Sequence, residues 1–284
     1  MFFPNCVVAL LSPEISLKSD EVRHFIVKRL RENAFLYFKH FKVSCANSET
    51  HGGRMIFFVD APKKAVQALE KCFGFHFLCP AQEIHFSSME ELSKIVVGLC
   101  KGKLSKTFAV RGKSFSKEVG SLDLNKALGA AILAQFPALK VNLDSPKSEV
   151  HCLTFGERAF IWFEEVEGAH GMPVSAQGTA ALLCNYGSKK EDSRLAWFLM
   201  RTGCRVSLVD GKEKDFVKAS EWNSFQPFTS ISIEEAKSRY VEGRIKAFFC
   251  VGKTTKKAEE ASAAAGTKVF APLLLLPKTK TPLD

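Results

Sequence analysis

The stretch Val166–Asp210, VEGAHGMPVSAQGTAALLCNYGSKKEDSRLAWFLMRTGCRVSLVD, decides the fold. Ala180 to Cys184 is a short apolar run followed by a polar turn. Asp192-Ser193 then opens a helix that carries Leu195, Ala196, Leu199 and Met200 on one face. Gly203 closes the helix, and Cys204 to Val209 returns as a buried strand. Strand, loop, helix and strand make a βαβ unit, in which a helix N-terminus and its amides can hold a phosphate. The loop between strand and helix is poorly suited to that task, and the tension governs the functional reading.

Downstream, strand and helix alternate: Ile233–Val241 and Lys256–Ala265 as helices, Ile245–Val251 and Val269-Phe270 as strands. That pattern predicts a partly parallel sheet with helices on its faces. Upstream, residues 7 to 85 predict the order βαββαβ of a small ferredoxin-like sandwich. Val7–Leu11 is its first strand. Asp20–Phe38 is a helix capped by Ser19, with Val22, Phe25, Ile26, Leu30 and Ala34 inward. Phe41–Cys45 and Arg54–Val59 are strands, Pro62–Cys72 a helix and Phe75–Ile84 the last strand. Residues 88 to 166 form a further compact α/β piece. In it Met89–Leu99 and a Ser121-capped stretch are helices, and Thr107–Arg111, Lys140–Leu143, Val150–Phe155 and Ala159–Val166 are strands. The fold class expected is α/β with an α+β N-terminal part.

The chain has 284 residues, a formal charge of +10 and a pI near 9.1. Its length is a prior for two or three domains, and its charge favours a polyanionic partner, nucleic acid before an acidic membrane surface. Lysines scattered by chance are the competing explanation. The nine cysteines include no Cys-x-x-Cys pair, and the histidines show no His-x₃-His spacing, so no metal site is readable. Most cysteines sit in apolar runs, as expected of buried thiols in a reducing cytoplasm. The start MFFPNCVVALLSPE reads as a first strand rather than a signal peptide, and Leu273–Leu276 is too short to span a bilayer.

From Leu92 to Lys117 there is no acidic residue, while Lys94, Lys101, Lys103, Lys106, Arg111, Lys113 and Lys117 are basic. A solvated surface normally interleaves signs, so a one-sign block beside a strand reads as a phosphate-tracking patch. On the first long helix Arg23, His24, Lys28 and Arg31 fall away from the apolar stripe at ~100° per residue. That face is either a nucleic-acid contact or simply solvated. Phe108 alternates inward with Val110 and is assigned to the core. Phe115 also interleaves with the block.

Several strings together resemble the tRNA 4-thiouridine synthetases, or tRNA uridine sulfurtransferases. They are Glu14-Ile15-x-Leu17-Lys18 with Arg23 following, Cys72-Phe73-Gly74, Phe108-Ala109-Val110-Arg111-x-Lys113, the helix from Ser121 to Leu133, Val141-x-Leu143-x-x-Pro146, and the glycine-rich Gly168 to Gly178. Val251-Gly252-Lys253 and Ala271-Pro272-Leu273 through Lys278 resemble two later segments weakly. The resemblance implies a ferredoxin-like domain at 1–86, a THUMP RNA-binding domain at 87–170 and a truncated, Rossmann-like PP-loop domain at 178–284. It implies capture of the acceptor end of tRNA, with Lys18, Arg23, Arg111 and Lys113 as contacts. The charge pattern adds Lys28, Arg31, Lys103, Lys106 and Lys117 to the candidates. Glu14, Leu17, Asp123 and Pro146 are assigned structural parts.

The family's PP-loop reads Ser-Gly-Gly-x-Asp-Ser, whose glycines let bare amides hold the phosphates of ATP. Here Cys-Asn-Tyr-Gly-Ser-Lys-Lys-Glu intervenes between Leu183 and Asp192-Ser193, with Gly187 its one glycine and Tyr186 placed to crowd a phosphate. Gly187, Ser188, Lys189, Lys190, Asp192 and Ser193 form the degenerate nucleotide loop, and Lys189 and Lys190 could grip phosphate as point charges. The family's sulfur-handling cysteine lies beyond the segment ending at Lys278, and this chain stops at Asp284. Cys184, Cys204 and Cys250 qualify as sulfur carriers only if exposed and poised as thiolates. Cys184, at the first position of the loop, is the catalytic candidate. Gly252-Lys253-Thr254 imitates the end of a Walker A motif, but the required earlier glycine falls on Ala247.

Three hypotheses follow. The leading one is a tRNA-binding protein of the thiouridine-synthetase type, its adenylation site weakened or lost. It requires no cofactor and presents tRNA to a partner modification enzyme or sulfur carrier. The alternative is an active ATP-dependent tRNA uridine 4-sulfurtransferase, using ATP with Mg and an external sulfur carrier. The third is a small-molecule α/β enzyme that is basic by chance. A homodimer is open; a membrane partner is not expected.

Overall fold

In the computed structural model, residues 1–116, 119–252, 254–272 and 281–283 are described. Lys117, Lys253, Leu273–Leu276 and Lys278 lie outside these residues. The chain divides into two compact units, one of Met1–Leu10, Lys42–Gln67 and Phe77–Glu167, the other of Leu11–Phe41, Ala68–His76 and Gly168–Asp284.

The N-terminal elements are β1 (Cys6–Leu11), α1 (Pro13–Ser16), α2 (Asp20–Phe41), β2 (Cys45–His51), β3 (Arg54–Val59), α3 (Pro62–Leu69) and β4 (Phe75–His85). Apart from the one-turn α1 this is the expected βαββαβ, and the strands run in the order β4-β1-β3-β2. Helix α2 continues to Phe41, and the following strand starts at Cys45 instead of Phe41. Its inner face is also displaced. Ile26, Leu30 and Ala34 are buried as expected, but Val22 and Phe25 are 45% and 52% exposed. The apolar spacing continues into the first turns, whereas the core receives the helix from Ile26 onward.

Next come α4 (Met89–Cys100), β5 (Thr107–Ser114), α5 (Ser121–Gln135), β6 (Lys140–Val141), β7 (Ser148–Phe155), β8 (Arg158–Trp162) and β9 (Val166–Glu167). They extend the same sheet through β4, in the order β4-β8-β7-β5-β6. Strands β5 and β7 are parallel, β7 and β8 antiparallel. Phe108, Val110, Leu124, Leu128 and Val150 form the core beneath α4 and α5. Gly120 is the N-cap of α5; the Ser121 hydroxyl, expected to cap, instead accepts the Ser114 amide at 3.0 Å.

The last elements are β10 (Thr179–Leu183), α6 (Lys189–Arg201), β11 (Arg205–Val209), a short 3-10 turn, α7 (Val217–Ser220), β12 (Thr229–Ile231), α8 (Ile233–Val241), β13 (Ala247–Cys250), α9 (Thr255–Ala265) and β14 (Val269–Phe270). Every strand pair is parallel, and the order is β12-β11-β10-β13-β14. This is the 3-2-1-4-5 arrangement of doubly wound sheets, whose order reverses beside the first strand. On one face Ala180, Leu182, Val206 and Leu208 pack against Leu195, Leu199 and Trp197. On the other, Ala181, Leu183, Val209 and Phe248 pack under α8 and α9.

The second unit also takes in α2 and the turn before β4. Phe73 meets Trp197 and Trp222 at centroid distances of 5.6 and 5.3 Å. Asn33 donates to the Val174 carbonyl, and the Tyr37 hydroxyl lies 2.8 Å from the carbonyl of Lys71 and 2.9 Å from that of Glu221. Gly74 (φ +115°) sits where a Cβ would fall 2.8 Å from Leu30, so the turn admits no larger residue without a shift.

Candidate nucleic-acid interface and nucleotide loop

In the first unit the basic block runs from Lys94 in α4 through the turn after the helix into β5. Lys101, Lys103 and Lys106 are exposed on the turn, and Lys113 is exposed on β5. The Lys103 ammonium lies 5.5 Å from the Phe2 ring, and Lys113 lies 5.9 Å from that of Phe115. Parallel pairing of β5 with β6 sets Lys140 opposite Thr107, and the Lys140 amide donates to the Lys106 carbonyl at 3.1 Å. The Lys147 amide donates to the Thr107 carbonyl. Lys140 and Lys147 therefore join the basic rim. They escaped the sequence reading because the pairing is non-local and Asp144 lies between them.

Arg111 is held rather than loose. It pairs with Glu149 at 2.8 Å and donates to the Leu143 carbonyl at 2.8 Å. Beside it the buried His151 stacks on Trp162 and faces Glu149 at 3.2 Å and Glu165 at 3.5 Å. Burial lowers the His151 pKa, against the two carboxylates, which favour its charged form. Phe108 is fully buried, as its alternation requires. Phe115 lies stacked on Phe155, centroids 4.8 Å apart at 15°, and remains 40% exposed.

In the second unit Lys18 follows α1 and is exposed, as is Lys28 on α2; Arg31 is half-buried. Arg23 pairs with Asp20 one turn away. An open cavity of about 440 Å³ brings Lys18 together with Glu14, Gly171, Gln177 and Arg201, thereby joining the first family-like string to the glycine-rich one.

The nucleotide loop lies where the strand order reverses, at the C-terminal ends of β10 and β13. Helix α6 starts at Lys189, not at Asp192, and its N-cap is Ser188. Ser188 and Glu191 form a capping box. The Ser188 amide donates to Glu191 Oε2 at 2.9 Å, and the Glu191 amide donates to Ser188 Oγ at 3.4 Å. Such a box is worth about 1 kcal/mol to a helix. It also takes two donors that a phosphate would need and puts a carboxylate at the positive end of the helix. Gly187 packs down on Val251, the residue just past β13, where a Cβ would fall 2.6 Å from Cγ1. Tyr186 turns onto the α8–α9 face of the core rather than over the loop. These residues do not fit the triphosphate of ATP in the manner of a glycine-rich PP-loop.

Asp192 is 4% exposed and has an Oδ1 without a partner among the described residues. Burial raises its pKa to about 6, against the Asn185 amide, which favours the carboxylate. Cys184 is buried as well. Burial, then Asp192, Asp210 and Asp215, raise its thiol to about 12. A Cβ at Gly211 would lie 2.5 Å from its sulfur. The exposure and thiolate required of a sulfur carrier are thus not met at Cys184, and burial raises Cys204 and Cys250 too, Cys250 to about 11. Lys189 pairs with Asp215 at 2.8 Å. Lys189, Lys190 and Ser193 share an open cavity of about 420 Å³ with Lys214 and Lys218, two cations that sequence spacing did not connect to the loop.

Among the described residues no helix is long and apolar enough to cross a membrane, and no group of three or more His, Cys, Asp or Glu could hold a metal ion. Residues 86–164 match the THUMP domain family. A probable tRNA sulfurtransferase of Thermoanaerobacter pseudethanolicus is 29% identical over 201 residues, covering 69% of this chain and 50% of its own. The crystal structure of PH1313 from Pyrococcus horikoshii Ot3 superposes with a TM-score of 0.79 at 20% identity, covering 96% of both chains. A 4-thiouridine synthetase–RNA complex with bound ATP superposes at 0.73 and 21% identity, over 95% of this chain and 81% of that one. This chain carries a THUMP domain and is a homologue of the tRNA sulfurtransferases, spanning about half the length of the curated relative quoted above.

Proposed function

We propose that this protein binds tRNA and takes part in tRNA thiolation, presenting the tRNA acceptor end to a partner modification enzyme or sulfur carrier in the cytoplasm. The observation that carries this is the contrast between an exposed basic rim on a THUMP domain and a nucleotide loop closed by its own capping box. The division proposed along the chain is a ferredoxin-like domain at 1–86, a THUMP domain at 87–170 and a degenerate PP-loop domain at 178–284. Lys103, Lys106 and Lys113 track phosphates, supported by their exposure and by the counterion release that such contacts bring. In the first unit Arg111 must give up or share Glu149 to bind phosphate. In the second unit Lys18 and Lys28 are further proposed phosphate contacts, and Arg23 must give up or share Asp20 to act as one. Lys117 belongs to the same proposal but lies outside the described residues.

A second reading, an active ATP-dependent sulfurtransferase with an external sulfur carrier, is favoured by one feature. The 3-2-1-4-5 sheet is retained with a loop at its switch point. The two are separated by incubating the full chain with tRNA and ATP. Pyrophosphate release that depends on tRNA overturns the adaptor; tRNA binding without release overturns the enzyme. Failure to bind tRNA overturns both.

A further inference from the structure

The end of the β10–β13 sheet opposite the nucleotide loop holds a cavity of about 360 Å³, lined by Thr179, Arg205, Ser207, Thr229, Arg239 and Arg244. The register explains why they meet. Thr179 pairs with Arg205 and Ser207 pairs with Thr229, and side chains two apart on a strand share a face. All four therefore point to the face on which Ala181, Val209 and Ile231 build the core under α8. At the strand starts that apolar surface ends, and three hydroxyl groups and a guanidinium take its place. Helix α8 adds Arg239, and the turn after it adds Arg244.

The charges are unbalanced. Arg239 pairs with Glu235 and Arg244 with Glu242, whereas Arg205 has no ion pair among the described residues. The buried Arg239 Nε has no acceptor there either. Buried, unpartnered Nε atoms also occur on Arg29 and Arg54, so the distinguishing feature is the convergence of three guanidinium groups and three hydroxyls on one cavity. Guanidinium forks match the oxygens of phosphate, and hydroxyl donors complete the shell.

We propose that this corner is a phosphate-binding site, separate from the loop after β10, that takes a phosphate group either free or within an RNA backbone. Arg205 supplies the uncommitted fork, while Arg239 and Arg244 turn partly from their carboxylates to the ligand.

The test is calorimetric titration of the full chain with inorganic phosphate at low salt, alongside tRNA binding as a function of salt. Arg205 is exposed, so Arg205→Gln should unfold at the wild-type temperature, and Arg205→Lys keeps the charge without the fork. Phosphate binding weakened at least tenfold by Arg205→Gln, less by Arg205→Lys, and unchanged by Lys63→Gln on α3 supports a site for free phosphate. No binding of inorganic phosphate, with the tRNA salt slope lowered by about 1 in Arg205→Gln, supports a backbone phosphodiester. If phosphate binding is not weakened by Arg205→Gln and the tRNA salt slope is also unchanged, the proposal is overturned. The inorganic-phosphate arm needs no RNA, so it stands or falls independently of the tRNA-binding reading.

Discussion

The THUMP domain and the parallel β10–β14 sheet are both α/β structures with well-filled cores, yet they treat their polar groups in opposite ways. The THUMP rim leaves Lys101, Lys103, Lys106 and Lys113 in solvent, with Lys140 and Lys147 added by strand pairing. The sheet keeps a nucleotide-type frame but spends the donors of its key helix on itself, through Ser188 and Glu191. A frame survives sequence change as long as apolar spacing survives. A phosphate cradle does not, because it depends on particular bare amides and on the absence of side chains. The contrast teaches that likeness of fold and likeness of chemistry must be judged on different atoms.

The largest expected effect tests the basic side. Replacing Lys103, Lys106 and Lys113 together by Ala should flatten the salt dependence of tRNA binding by about 2 to 3 in slope and weaken binding by about two orders of magnitude at low salt. Electrophoretic or filter-binding titrations across salt concentration measure both. An unchanged slope would move the interface elsewhere. Arg111→Ala is a less clean probe, since it also releases Glu149 and the Leu143 carbonyl.

The next effect tests whether the loop is closed. Gly187→Ala would place a methyl group 2.6 Å from Val251 Cγ1, and it should cost about 1–3 kcal/mol in denaturant unfolding. A neutral result would mean that the loop stands away from β13 in solution, leaving room for a ligand.

Asp192 gives a smaller effect with a defined sign. Its carboxyl is raised from an ordinary 3.8 to about 6, so the folded chain binds more protons than the unfolded chain between those values. Its contribution is most favourable at low pH and is lost as pH rises toward 6. Asp192→Asn removes that loss and should stabilise the protein by about 1–2 kcal/mol at pH 7, with no gain near pH 4. Destabilisation at pH 7 would instead show the carboxylate to be engaged, as a nucleotide or metal site would need.

Much of the frame was legible in the sequence because it rests on periodicity. The bounds of α8 and β14 agree with the expected ones, and α6 and β11 need only small shifts. Strand β12 was missed because three residues carry too little alternation to register. The start of α6 was misplaced although Ser188-Lys-Lys-Glu191 spells a capping box; Asp192-Ser193, matching a family string, also has N-cap chemistry. Arg111 read as a free cation because Glu149 is distant in sequence but adjacent across β5 and β7. Val22 and Phe25 read as core because spacing fixes a helix face and not how far the core extends along it. What the sequence missed is non-local pairing and the local closure of donors.

The smallest effect is an expected absence of change at Cys184. A sulfur carrier must present a thiolate, and here three aspartates and burial all oppose one, holding the thiol near 12. In the native protein Cys184 should therefore resist alkylation at pH 8, with the half-exposed Cys45 and Cys204 reacting first. In denaturant all nine cysteines should react alike. Cys184→Ser should leave tRNA affinity within twofold of wild type. Mass mapping of alkylated peptides decides the point. If Cys184 is modified before Cys45 and Cys204 in the folded chain, the loop after β10 opens often enough to expose its sulfur, and the distinction drawn between the two regions fails at the residue where it is sharpest.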